Sequence, residues 1–271
     1  MKLKNKYKQF VIYLIKKYFG EINLQEFDKN DLRSIVIIAQ ERYGDIILLT
    51  PLLKSLRSIY PNAEIVIIGV TDIVYILAND KNINAVYNIR KVSNLDKKKI
   101  KDKEFDLLYN TKDHPSTTFI YLSRKIKAKH KVGISHSLHS GHYNYLISLE
   151  EAIPKIKVNG LLLEYLGFGD NINNMRPYIP EGPVSEEIKN FVRLIKQKNV
   201  IGINLSVSRQ QRQWKLLNWM NFLKEIHQPV IVIAMKEDVK KKRILESKIS
   251  NVLSSPRTKS IFDAAYLISH L

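Results

Sequence analysis

Two rhythms of apolar and polar positions alternate along this chain. Short β-branched runs, the mark of strands buried on both faces, fall at 34–40, 64–70, 84–88, 106–110 and 131–135. Between them apolar residues recur three and four apart, which predicts helices over 45–59, 73–79 and roughly 114–127. A further helix is predicted over 153–167, stopping at Gly167. The rhythm breaks in "FGDNINNMRPYIPEGP", residues 168–183, where Gly, Asn and Pro accumulate. It resumes with a helix over 185–197, a strand over 199–205, a helix over 216–227, a strand over 229–234 and a helix over 238–248. A short strand at 251–254 and a helix over 260–270 complete the series.

Strands that alternate with helices predict parallel sheets covered on both faces. The pattern therefore predicts an α/β protein with two Rossmann-like units, over 34–167 and 185–271, joined by a linker over 168–184. The second unit offers only three strand candidates, fewer than a doubly wound sheet needs to cover its helices, and reads as incomplete.

Ahead of this series, residues 1–33 form a leader whose first twenty residues hold six lysines and no acid. Leu3, Tyr7, Phe10, Val11, Leu14 and Tyr18 share one helical stripe. The uncharged run from Gln9 to Ile15 is too short to span a bilayer, and no small-residue cleavage site follows it. Two readings stand: a basic amphipathic helix lying on an anionic membrane surface, or a helix packing its stripe on the protein's own core.

Composition narrows the choice of partners. The chain of 271 residues has no cysteine, which excludes disulfides and cysteine-ligated zinc and fits a reducing cytoplasm. Lys and Arg number 44 against 26 acids, a formal charge of +18. That excess suits an anionic partner such as a phosphorylated substrate or lipid, or else solvated lysine faces. No nucleic-acid-binding motif accompanies it, so nucleic acid is not an expected partner. Neither GxGxxG nor GxxxxGK[ST] is present, and HExxH and GxSxG are absent too. His136, His139 and His142 recur every third residue within a polar stretch that reads as a loop, and no metal site is expected.

Two segments follow strands and so fall where open parallel sheets bind ligands. The first is "ERYGD", residues 41–45. Gly44 would permit a tight turn or close approach of a substrate, and Asp45 serves either as a helix cap or as a base. The second is "INLSVSRQQRQWKLLNW", residues 203–219. Its Ser206 and Ser208 hydroxyls, with Arg209 and Arg212, suit an anion such as phosphate. Trp214 and Trp219 read as anchors of the following helix.

These residues carry a resemblance. "RYGDIILLTPLLKSLRSIYPNAEIVIIG" resembles the amino-terminal signature of the ADP-heptose:lipopolysaccharide heptosyltransferases, glycosyltransferase family 9. "KVGIS", "LLLEYLG", "SRQQRQWKLLNW" and "VIVIAMKED" resemble that family's later landmarks, in order, over 34–271. The resemblance implies a GT-B fold and metal-independent, inverting transfer of heptose from ADP-heptose to the inner core of lipopolysaccharide. No cofactor is implied beyond the nucleotide-sugar donor. The catalytic base falls on Asp45, and donor contacts fall on Ser206, Ser208, Arg212 and Glu237 or its neighbour Asp238. Lys112 and His114, just after the strand at 106–110, are the candidate acceptor contacts. An enzyme of this kind works at the cytoplasmic face of the inner membrane.

Two departures stand beside the resemblance. The family's glycine-bearing turn reads Ala234-Met235-Lys236 here, and a later Asp-Thr-Gly and His segment of the family has no counterpart. The alternative expectation is therefore a truncated, non-catalytic remnant that retains membrane or acceptor binding.

Overall fold

A computed structural model describes residues 2–271 except 24, 26, 150–152, 170–175, 197 and 208–209. The chain divides into two units, Met1–Pro180 and Glu181–Leu271.

The first unit is built on a six-stranded parallel sheet: β1 (Ser34–Ile38), β2 (Glu64–Gly69), β3 (Ala85–Asn88), β4 (Glu104–Asn110), β5 (Lys127–Ile134) and β6 (Tyr145–Ile147). Its spatial order is β3-β2-β1-β4-β5-β6. The chain first winds outward from β1 to β3, then crosses back to β4 and winds the other way. This is the doubly wound Rossmann order, and it opens a crevice between β1 and β4 at their carboxyl ends.

Both faces of the sheet are covered, which is why β1 is buried along its whole length. On one face Val36, Ile38, Val66, Ile68, Phe105 and Leu108 pack with Ile100 of α4 (Asn94–Asp102) and with Phe119 and Leu122 of α5 (Thr117–Lys125). On the other, Tyr109 reaches α6 (Lys155–Leu166), its hydroxyl donating to the Val158 carbonyl at 3.3 Å. The α6 helix ends as its sequence predicts. Gly167 takes a φ of +92°, and Phe168 N–H donates back to the Leu163 carbonyl.

Several elements differ from the sequence pattern for identifiable reasons. The helix expected over 45–59 is two helices, α2 (Tyr43–Ile47) and α3 (Thr50–Ile59). Pro51 lacks an N–H and its ring clashes with the carbonyl four residues back, so it starts a helix and does not continue one. The 73–79 helix is a 3₁₀ segment, Asp72–Leu77. The α4 helix was hidden in a lysine-rich stretch where Ile100 is its one buried residue. Its sequence signal is Ser93, whose Oγ accepts the Asp96 N–H at 3.1 Å. Three-residue β6 was too short to register as a period.

The leader forms α1 (Lys2–Phe19), which lies against α5. Arg124 of α5 holds its end, donating to the carbonyls of Phe19 and Gly20 at 2.8 Å each. Among the described side chains of α1 the buried one is Ile12, and most of the expected stripe faces outward, with Val11 half-buried. Tyr7 is 71%, Phe10 57%, Leu14 43% and Tyr18 82% exposed. The side chain of Leu3 lies outside the described part. No described helix is long and apolar enough to cross a membrane.

The second unit has two parallel strands, β7 (Ile201–Asn204) and β8 (Val230–Ile233). The strand expected at 251–254 contributes one parallel bridge, Val252 to Val230. Side chains alternate across this small sheet. Ile203, Val230 and Val232 pack with Leu223 of α8 (Leu216–Lys224) and Leu245 of α9 (Val239–Lys248). Ile231 packs the other way, with Ile188 and Val192 of α7 (Glu186–Ile195) and Leu267 of α10 (Ile261–Ile268).

Candidate functional site

Asp45 follows β1 and sits in the first turn of α2. The N-cap of that helix is Arg42, with no side-chain cap, so Asp45 is not the cap. Its half-buried carboxylate makes no hydrogen bond or ion pair among the described residues. Beside it, a Cβ on Gly44 would meet nothing within 4 Å, and Gly44 is not among the glycines with positive φ. Open space and not a special turn is what Gly44 provides. A carboxylate of this kind is free to accept a hydroxyl proton.

Across the crevice, the segment after β4 brings charges of both signs together. Thr111 ties the two strand ends, its N–H and Oγ both donating to the Ile38 carbonyl. Gln40 Nε2 donates to the Thr111 carbonyl at 2.7 Å. Lys112 is buried, with its ammonium 2.5 Å from Glu41 and 4.8 Å from the Phe119 ring centroid. His114 is exposed, its Nδ1 2.8 Å from Asp113. Lys155, at the start of α6, donates to Asp113 at 2.9 Å and to the Thr111 carbonyl at 3.1 Å. Burial alone would raise the Asp113 pKa. The hydrogen bonds from Lys155 and His114 outweigh it and hold the carboxyl below its ordinary range.

Glu41, Asp113 and Lys155 were not singled out from sequence. Glu41 opens the "ERYGD" segment and Asp113 lies between Lys112 and His114 in the charge-rich "TKDH", but no sequence signal marks Lys155. The histidine stretch behaves as a structural loop. His139 is buried with its Nδ1 2.6 Å from the Ile134 carbonyl, and no group of metal-ligating side chains forms among the described residues.

In the second unit the expected donor residues separate into two kinds. Ser206 is buried and occupied: its Oγ donates to Asp238 at 2.9 Å and accepts from the Met235 N–H at 2.8 Å. Asp238 also accepts from Gln213 and Lys241, at 2.9 and 2.7 Å. The Lys241 hydrogen bond, opposed by burial and aided by Ser206 and Gln213, holds its carboxyl below the ordinary value. This cluster joins the loops after β7 and β8. Arg212 and Glu237 are exposed and make no ion pair or side-chain hydrogen bond among the described residues. Of the two acidic candidates, Glu237 is the free one and Asp238 the structural one. Ser208 and Arg209 lie outside the described residues.

The tryptophans anchor α8 in part. Trp219 packs on the core, while Trp214, 47% exposed, meets it edge-on at 5.1 Å.

No protein-family model matches the sequence, and no curated protein matches it. Solved structures do match. A glycosyl transferase family 9 protein from Veillonella parvula is 17% identical, with 85% of this chain and 69% of that one covered and a TM-score of 0.64. The E. coli heptosyltransferase WaaC, solved with ADP, is 11% identical over 87% of this chain and 78% of its own, with a TM-score of 0.59. E. coli ADP-heptose lipopolysaccharide heptosyltransferase II is 15% identical, covering 88% and 76%, with a TM-score of 0.54. The chain has the GT-B-like α/β fold of these glycosyltransferases.

Proposed function

We propose that this chain is a glycosyltransferase that moves heptose from ADP-heptose onto the inner core of lipopolysaccharide, with inversion. The observation that carries the reading is the Asp45 carboxylate, without a partner among the described residues, at the crevice between β1 and β4, in a fold shared with heptosyltransferases.

In this reading Asp45 takes the proton from an acceptor hydroxyl. The hydroxyl oxygen forms a bond to the anomeric carbon from the face opposite the diphosphate. The bond from that carbon to the diphosphate oxygen breaks, and ADP departs with the electron pair. Configuration at the anomeric carbon inverts. Arg212 supplies a guanidinium to the diphosphate, and Glu237 accepts from the ribose hydroxyls. Ser208 joins the donor contacts. The Ser206–Asp238 bond holds the loops that carry them. Lys112 and His114 contact the acceptor, Lys112 from its pairing with Glu41.

The acceptor is lipid-anchored, which assigns the enzyme to the cytoplasmic face of the inner membrane. The outward stripe of α1, with Lys6 and Lys17 at its edge, fits reversible binding to anionic lipid. Calorimetric titration with ADP, paired with measurement of ADP release from ADP-heptose and a core acceptor, tests the reading. Binding with acceptor-dependent release is expected. Absence of both overturns it.

A further inference from the structure

Helices α4 and α5 enclose a cavity of about 640 Å³ together with Ile89 and Arg90, which follow β3. That volume lies within the roughly 300–1,000 Å³ range of sites that bury a small molecule. Its floor is apolar. Ile100, Leu122 and Ile126 line it, and all three belong to the core beneath the sheet face.

The rim has the opposite character. Arg90, Lys97, Lys98, Lys101 and Lys125 surround the mouth, against one acid, Asp102. Arg90, Lys97, Lys98 and Lys101 are exposed, and their side chains make no ion pair or hydrogen bond among the described residues. Lys125 lies 5.5 Å from the Tyr121 ring centroid. Like charges gathered at one mouth repel each other, and an anion seated there relieves that repulsion.

Tyr121 also links the cavity to α1. Its ring meets Phe19 at 6.0 Å, and Phe19 meets Tyr18 at 4.9 Å. Tyr18 belongs to the exposed stripe of α1. An apolar cavity with a cationic mouth therefore adjoins an outward apolar helix face.

We infer that the α4–α5 cavity binds one anionic lipid of the membrane surface, with an acyl chain on the Ile100–Leu122–Ile126 floor and the headgroup phosphate among Arg90, Lys97 and Lys101. The site lies on the face of the sheet covered by α4 and α5, and it stands apart from the transferase reading. Lysine stems cover the walls while their ammonium groups stay in water, so the chain is shielded and the headgroup remains hydrated.

The test uses the full chain and monomeric dodecyl phosphate, with inorganic phosphate and dodecyl maltoside as partial probes. Calorimetry is expected to show dodecyl phosphate bound at least about tenfold more tightly than either partial probe. Two variants separate the causes. Thr118→Trp fills the cavity from α5, and Lys97→Glu with Lys101→Glu reverses charge on the exposed side of α4 while leaving the core untouched. Each is expected to weaken dodecyl phosphate binding by about tenfold or more. Binding of inorganic phosphate as tight as that of dodecyl phosphate overturns the inference. So does unchanged affinity in the doubly charge-reversed variant.

Discussion

Asp45 and Lys112 stand at the carboxyl ends of β1 and β4, the two neighbouring strands from which the chain winds in opposite directions. Lys112 is neutralised by Glu41, while Asp45 has no partner among the described residues. The Lys112–Glu41 ion pair therefore joins the two strand ends, while Asp45, farther along on the β1 side, is an open carboxylate.

Arg212 faces the diphosphate in this account. Arg212→Ala is expected to weaken ADP binding by about tenfold or more, since hydrogen bonds to charged groups contribute about 1.5–3 kcal/mol. Acceptor binding should not change. ADP titration of both proteins checks it, and equal affinities would remove Arg212 from the site.

On α1, Phe10→Ser with Leu14→Ser should abolish most sedimentation with anionic vesicles at low salt while leaving the melting temperature near that of the parent. Both residues are exposed, and Ile12 keeps the helix on the body. Deleting residues 1–20 is a poorer test, because Arg124 would lose the Phe19 and Gly20 carbonyls. Binding to vesicles should fall as salt rises, since screening acts within a Debye length of about 8–10 Å. Undiminished binding by the Ser variant would shift the role to charge elsewhere.

Stability should fall as pH drops from neutrality. Burial pushes His130 down to about 4, with Lys29 nearby adding to the effect, and burial likewise takes His142 to about 4. An unfolded histidine titrates near about 6.5. Between the two values the unfolded chain binds more protons, so the stabilisation present above about pH 6.5 is lost as pH falls toward 4. His130 Nε2 lies 2.7 Å from the Tyr165 hydroxyl and its ring stacks on Phe27 at 4.5 Å, contacts that help to bury it. Melting temperatures at about pH 7 and 4.5 check this. His130→Gln should flatten the difference, and an unchanged difference would assign it to other groups.

Much of the first unit was legible because its strands are long apolar runs, and a fully buried parallel strand has no other way to look. Gly167 was legible for the same sort of reason: few residues besides glycine take its backbone angle. What escaped depends on pairing and not on pattern. The α4 helix buries one residue, so its period was faint, and β6 exists only through its bonds to β5. Asp45 was legible by position, but its lack of a cap role needed the backbone at Arg42. Ser206 read as a ligand hydroxyl because nothing in sequence shows that Asp238, 32 residues later, reaches it. The outward stripe of α1 was seen as a stripe, but the second face that packs through Ile12 was not.

The most direct measurement is turnover of Asp45→Ala in a heptose-transfer assay, read beside ADP affinity and melting temperature. The account predicts a fall in kcat of about 10²–10⁴-fold, the usual contribution of a general base. ADP affinity should be unchanged. Stability should shift by no more than about 1 kcal/mol, the scale of a helix-dipole contact. Turnover equal to the parent's would contradict the central claim that Asp45 deprotonates the acceptor.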